Sequence, residues 1–144
     1  MSELVYKTVN TKQELIDALN IRRHVFVIGQ NIDEKIVFDL YDDKSLHIIV
    51  MTEGKTVGSV RLRLQEDGEA KLERMAILPN YRRKGLGQNM LTFLEGELRK
   101  RLATKIVLHA QSDVSKFYER CGFSVEGPYF WEVGIKHIKM KKQL

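Results

Sequence analysis

The sequence predicts an α/β fold: one mixed, largely antiparallel sheet of about seven strands, with helices on both faces. Three observations carry this. Four strand-like runs precede residue 79, the last three linked by the short turns Glu53-Gly54-Lys55 and Asp67-Gly68, as in an antiparallel meander. A long amphipathic pattern then separates two apolar strand runs. Strand, crossover helix, strand makes those two strands parallel neighbours. Two further strand runs close the chain as an antiparallel pair.

Each element has its own signal. Leu4 to Val9 alternates as a first strand, and Thr11-Lys12-Gln13-Glu14 is a capping-box pattern. Leu15, Leu19, Arg22 and Phe26 follow at helical spacing, with Ala18 and Val25 alongside. The acidic segment Asp33-Glu34-Lys35 with Asp39, Asp42 and Asp43 reads as a solvated loop or helix face. Its functional reading is a lip that attracts a cationic acceptor. His47 to Thr52 and Thr56 to Gln65 are strands. Leu86, Met90, Leu94, Leu98 and Leu102 mark the long helix, whose cationic end Arg99-Lys100-Arg101 complements the dipole there. Lys105 to Ala110 is a strand and Ser112 to Cys121 a short helix stopped by Gly122. Phe123 to Val125 and Gly134 to Lys142 form the closing pair, with Pro128 to Trp131 in the loop between them.

Composition narrows the function. A chain of 144 residues, 43% hydrophobic and 30% charged, fits one globular domain spanning 1–144. No apolar run approaches the ~20 residues of a membrane span, and no signal peptide opens the sequence, so no membrane partner is expected. The single cysteine, Cys121, excludes an internal disulfide framework and fits a reducing, cytoplasmic setting. Beside a helix-ending glycine it reads as structural rather than nucleophilic. The net charge of +5 suits an anionic ligand and would equally suit weak nucleic-acid binding. No aromatic platform interleaves with the tribasic run, so nucleic acid is not expected. His24, His47, His109 and His137 are scattered without metal-ligand spacing, and no metal is expected.

The chain is organised around Lys71 to Gly87, KLERMAILPNYRRKGLG. The run opens as a strand with apolar residues on both faces, which places it centrally in the sheet. Pro79 and Asn80 stop it. Then come three cations, Arg82, Arg83 and Lys84, two glycines, Gly85 and Gly87, and a helix start. A helix start leaves four backbone N–H groups unpaired and carries partial positive charge. Glycines admit a ligand to those donors, so the turn suits a pyrophosphate. The plainer reading is a solvated basic turn that caps a helix. The segment is no Walker A loop, and it lacks the third glycine of a dinucleotide fingerprint.

Arg82, Gly85 and Gly87 resemble the Q/R-x-x-G-x-G/A signature of the GNAT N-acetyltransferase superfamily, as do Met75-Ala76-Ile77 and the run Pro79 to Arg82. The resemblance implies the acyl-CoA N-acyltransferase fold, with acetyl-CoA as co-substrate. Arg82, Arg83, Lys84, Gly85, Leu86, Gly87 and Gln88 would hold the pyrophosphate, and Met75, Ala76 and Ile77 would pair with the pantetheine arm. Arg23-His24-Val25-Phe26-Val27 with Gln30, Asp39, Asp42 and His47 is similar to a small bacterial branch of the family. Gly29 stands where many of that branch have glutamate. Phe117-Tyr118-Glu119-Arg120-Cys121-Gly122-Phe123 resembles the family pattern of an aromatic-Tyr pair before Gly-Phe, which implies Phe117, Tyr118 and Gln111 at the cofactor. Gln111 and Val114 depart from the Asn and Ala of many relatives.

Two residues carry the expected chemistry. A thiolate leaves more easily when protonated, and a tyrosine stays protonated at neutral pH, so Tyr118 is the candidate acid. The bland reading is an aromatic that only packs. An acceptor amine must lose a proton, and Glu73 is the candidate base, weighed against a salt bridge to Arg61 or Arg63. A backbone N–H near Met75 would meet the oxyanion if a bulge or splay frees it. His109 ends a strand at the cleft, as an acceptor contact or a satisfied buried histidine. The expectation is direct acetyl transfer from acetyl-CoA to an amine of a small molecule or peptide, leaving a homodimer open. The alternatives are a catalytically silent acyl-CoA-binding module and a basic nucleic-acid-binding domain.

Overall fold

The structure, a computed structural model, describes residues 3–144. In chain order the strands are β1 (Leu4–Thr8), β2 (Leu46–Thr52), β3 (Lys55–Leu64), β4 (Glu69–Ile77), β5 (Lys105–Gln111), β6 (Ser124–Val125), β7 (Phe130–Glu132) and β8 (Ile135–Gln143). The helices are α1 (Lys12–Arg22), α2 (Glu34–Val37), α3 (Leu86–Lys100) and α4 (Ser115–Arg120), and a π-helical turn, Arg23–Ile28, prolongs α1. The sheet runs β1-β2-β3-β4-β5-β8-β6, with β7 also on β8. All neighbours are antiparallel except β4 and β5. This is the mixed α/β sheet expected, with eight strands in place of about seven.

The eighth strand is β7, in a segment that reads as loop. Glu132 pairs with Ile135, so the turn is the two residues Val133 (φ 47°) and Gly134 (φ 74°). A type I′ turn normally announces itself with Asn-Gly or Asp-Gly, and a valine in the left-handed region hides it. The long helix also stops two residues early: α3 ends at Lys100, and Leu102 lies beyond it, 83% exposed at φ 64°. Thr11 caps α1 by accepting from Glu14 N at 3.1 Å, while the Glu14 carboxylate accepts from Asn10 N at 3.0 Å.

Leu86, Met90, Leu91, Leu94 and Leu98 of α3 pack with Ile48, Val50, Val60, Leu62, Ile106 and Leu108 of the sheet and with Met140 of β8. Burying each such side chain stabilises by roughly 1.5–3 kcal/mol. On the opposite face Ile21 and Val25 cover Ala76 of β4. β4 is thus sandwiched between helices, which is why its sequence is apolar on both sides.

Candidate active site

The site begins where β4 and β5 part. Their parallel pairing runs from Glu69↔Lys105 to Leu72↔Leu108 and stops, while β4 continues to Ile77 and β5 to Gln111. On its other side β4 carries a bulge. Ser59 pairs with Ala76 and Arg61 with Glu73, so Val60 faces two residues, Arg74 and Met75. Arg74 takes up the extra residue at φ 58°, a backbone region non-glycine residues rarely adopt. Its guanidinium anchors the bulge: Nε donates to Val37 O and Nη2 to Ile36 O, each at 3.1 Å.

At the end of β4 the chain makes a 3₁₀ turn, Pro79–Tyr81, and enters the basic loop. Arg82 N donates to Pro79 O at 3.3 Å, and the next amide with a backbone partner is Asn89, to Gly85 O at 3.1 Å. Among the described residues, the six amides between them, Arg83 to Gln88, have no backbone acceptor. Arg83 (φ 61°) and Gly85 (φ 82°) are both left-handed, which turns the chain sharply into α3. Arg82 Nε donates back to Ile77 O at 2.8 Å, and Lys84 lies exposed near Tyr81. Gly87 has a reason not legible in sequence: a Cβ there would lie 3.0 Å from Phe117 Cζ and 3.6 Å from Met75 Cε.

Those contacts bring the short helix α4 to the same place. Tyr118 is 8% exposed, edge-on to Phe117 and Phe123. Its hydroxyl donates to Met75 Sδ at 3.6 Å, and a thioether is a weak acceptor. Burial, with Cys121 nearby, pushes the Tyr118 hydroxyl well above its ordinary range, so it stays protonated. Gln111, at the free end of β5, exchanges amide hydrogen bonds with Gln30 at 2.9 and 3.3 Å. Leu86 and Ala76 are buried in the two cores rather than open to the cleft.

Glu73 sits just past the last parallel pair, and here the ion pair is formed. Its carboxylate accepts from Arg61 Nη2 and, at 2.6 Å, from Arg63 Nη2, with Lys71 Nζ at 3.4 Å. Burial opposes its charge, but the hydrogen bonds from Arg63 and Arg61 prevail and hold the carboxyl below its usual range. Arg61 is 1% exposed and also binds Asp39 at 2.5 Å and Asp42 at 3.1 Å. Arg22, equally buried, binds Asp42 at 2.6 Å and His47 Nδ1 at 3.4 Å. Asp39 and Asp42 are therefore not a solvated acidic run: they neutralise buried arginines. Two arginines placed in otherwise apolar helix and strand patterns were the available signal.

This network sets the acid limit of stability. Burial acts against the Asp39 charge too, and Arg61 with the Tyr41 amide lowers its carboxyl overall. Stability from both carboxylates is complete above the ordinary carboxylate pKa of about 4. It is lost as pH falls through the lower folded values. Thermal melts from pH 7 to pH 3 should show that loss, and Glu73→Gln should lower stability at pH 7 by roughly 3 kcal/mol while flattening the acid limb. An unchanged melting temperature for that variant would mean the network is idle.

With the geometry in view, the relatives are informative. The profile of the Acetyltransferase (GNAT) domain matches residues 14–144. The chain is 36% identical over 141 residues to the uncharacterized protein YyaT of Bacillus subtilis, covering 96% of this chain and 95% of that one. It is 34% identical over 132 residues to the uncharacterized N-acetyltransferase YjcF of Bacillus subtilis, covering 91% and 94%. A crystal structure of a candidate N-acetyltransferase from Lactobacillus plantarum superposes with a TM-score of 0.93 at 26% identity, covering 98% of each chain. The chain belongs to the GNAT acetyltransferase family and is an acetyl-CoA-dependent N-acetyltransferase. Among the described residues no helix is long and apolar enough to cross a membrane, and no three His, Cys, Asp or Glu side chains gather as a metal site would need.

Proposed function

We propose that the whole chain acts as one domain that transfers acetyl directly from acetyl-CoA to an amine of a small molecule or peptide. The observation that carries this is the parting of β4 and β5 beside a buried Tyr118 hydroxyl whose acceptor is a thioether. The unpartnered amides of Arg83 to Gln88, with the Arg82, Arg83 and Lys84 cations, receive the pyrophosphate. Met75, Ala76 and Ile77 offer the open edge of β4 to the pantetheine arm, and Gln111 and Phe117 border it. An amide freed by the bulge at Arg74 and Met75 meets the developing oxyanion. Tyr118 gives its proton to the departing thiolate, a far stronger acceptor than the Met75 thioether. Glu73 acts by position: accepting a proton would break an ion pair to Arg61 or Arg63, so it holds β4 beside the bulge instead.

Thiol release from acetyl-CoA, measured across an amine panel, tests the reading; binding of acetyl-CoA with no release for any amine would favour a silent binding module. The basic turn makes its own prediction. Lys84→Ala should weaken acetyl-CoA binding at low salt, with the loss shrinking as salt rises. Arg82→Ala should keep part of its loss at high salt, because Arg82 also ties the turn to Ile77. Calorimetry at two ionic strengths separates them; salt-independent losses for both would remove the electrostatic account.

A further inference from the structure

With Glu73 engaged by three cations, the proton of the attacking amine passes to water or to another side chain. Among the four imidazoles, His47 uses both ring nitrogens, on Arg22 and on Asp42 O. His137 is buried, with Nδ1 on Ile135 O at 2.7 Å and Nε2 facing Glu132 at 3.7 Å. His24 stands on the π-helical turn with Ile21 and Leu78, lining a separate hollow. His109 differs. It is the first residue of β5 beyond the last pair with β4, at the mouth of the split. Its neighbours Leu108 and Ala110 point into the core beneath α3. His109 therefore lies on the opposite face, the one on which Gln111 meets Gln30.

We propose that His109, oriented by Glu132, is the group that takes the proton from the attacking amine. Its Nδ1 lies 3.5 Å from Glu132 Oε1, and the edge-on Phe130 ring, 5.0 Å away, fixes its plane. A carboxylate at Nδ1 favours the tautomer with the proton there and leaves the Nε2 lone pair free. Nε2 has no partner among the described residues, and the side chain is 30% exposed, so a substrate can reach it. The other charged groups nearby are already engaged: Lys139, across the β5–β8 register, is paired with Glu126, and Lys71 with Glu73.

The step balances, and it rests on the N-acetyltransferase reading above. The neutral amine nitrogen bonds to the thioester carbonyl carbon and its proton passes to His109 Nε2. The C–S bond breaks, and the sulfur takes the Tyr118 proton. Solvent returns a proton from His109 to Tyr118, leaving an amide and free CoA.

The test is the pH dependence of kcat/KM for wild type, His109→Gln, Glu132→Gln and Glu73→Gln. Acceptors are 1,4-diaminobutane, glucosamine and a glycyl-lysine dipeptide; acetyl-CoA affinity is measured by calorimetry. His109→Gln should lose roughly 10²-fold at pH 7 with unchanged acetyl-CoA affinity, recovering toward high pH where hydroxide takes that proton instead. Glu132→Gln should show part of the same kcat loss with unchanged acetyl-CoA affinity, because the imidazole loses the carboxylate that sets its tautomer, and Glu132→Asp should restore part of it. Glu73→Gln should keep the wild-type shape. A His109→Gln enzyme with wild-type rate and profile overturns the proposal alone, as does a wild-type kcat in Glu132→Gln, which also decides the matter should His109→Gln not fold. A wild-type protein that releases no thiol with any amine overturns the N-acetyltransferase reading, and the proton acceptor with it.

Discussion

Replacing Tyr118 by phenylalanine is expected to lower kcat by roughly 10²- to 10³-fold while acetyl-CoA affinity hardly changes. The ring stays, so the edge-on contacts with Phe117 and Phe123 survive and the fold loses little. The hydroxyl goes, and its present partner, Met75 Sδ, loses only a weak bond. The lost interaction therefore matters when negative charge collects on the leaving sulfur, which places the effect on kcat. High pH should not rescue the variant, since a deprotonated amine does nothing for a poor leaving group. Steady-state rates from pH 6 to pH 10 measure this; a phenylalanine variant near wild-type kcat would strip Tyr118 of the acid role.

The second large effect is at Gly87. Gly87→Val should weaken acetyl-CoA binding by roughly 10- to 100-fold, the worth of one or two hydrogen bonds to a charged group. The added side chain meets Phe117 Cζ at 3.0 Å and lies over the amides at the start of α3. Phe117 has to yield, and the ring borders the proposed pantetheine path. Calorimetry on a variant that still melts cooperatively decides it, and unchanged affinity would discard the phosphate cradle. Gly85→Ala should act differently, since nothing lies within 4 Å of its Cβ position and the strain comes from φ 82° alone.

Much of this was legible in the residues. The meander, the parallel crossover and the helix begun by Leu86 follow from periodicity and turn chemistry, and so does the order strand, basic turn, helix. What periodicity could not supply is long-range. The Arg61–Glu73 pair is not of that kind: the hairpin register set by the Asp67-Gly68 turn places the two residues opposite each other, ahead of the bulge. Asp39 and Asp42 looked solvated because charge runs usually are, and their arginine partners come from α1 and β3. β7 stayed hidden because Val133 occupies a left-handed turn position with no propensity to announce it. His109 and Glu132 meet only because β7 and β5 both flank β8.

The parting of β4 and β5 creates, inside a sheet, what is normally found at its margin. A sheet edge is a template for any passing strand, and proteins usually blunt it with charge, proline or a covering helix. Here the unpaired stretches, residues 73–77 and 109–111, remain enclosed, β4 still held by β3 on its far side and β5 by β8. A foreign sheet cannot slide into such a wedge, whereas a single slender, extended molecule with amide groups of its own can. The fold thus keeps backbone groups unpaired in the middle of a sheet whose two flanking strands both stay anchored.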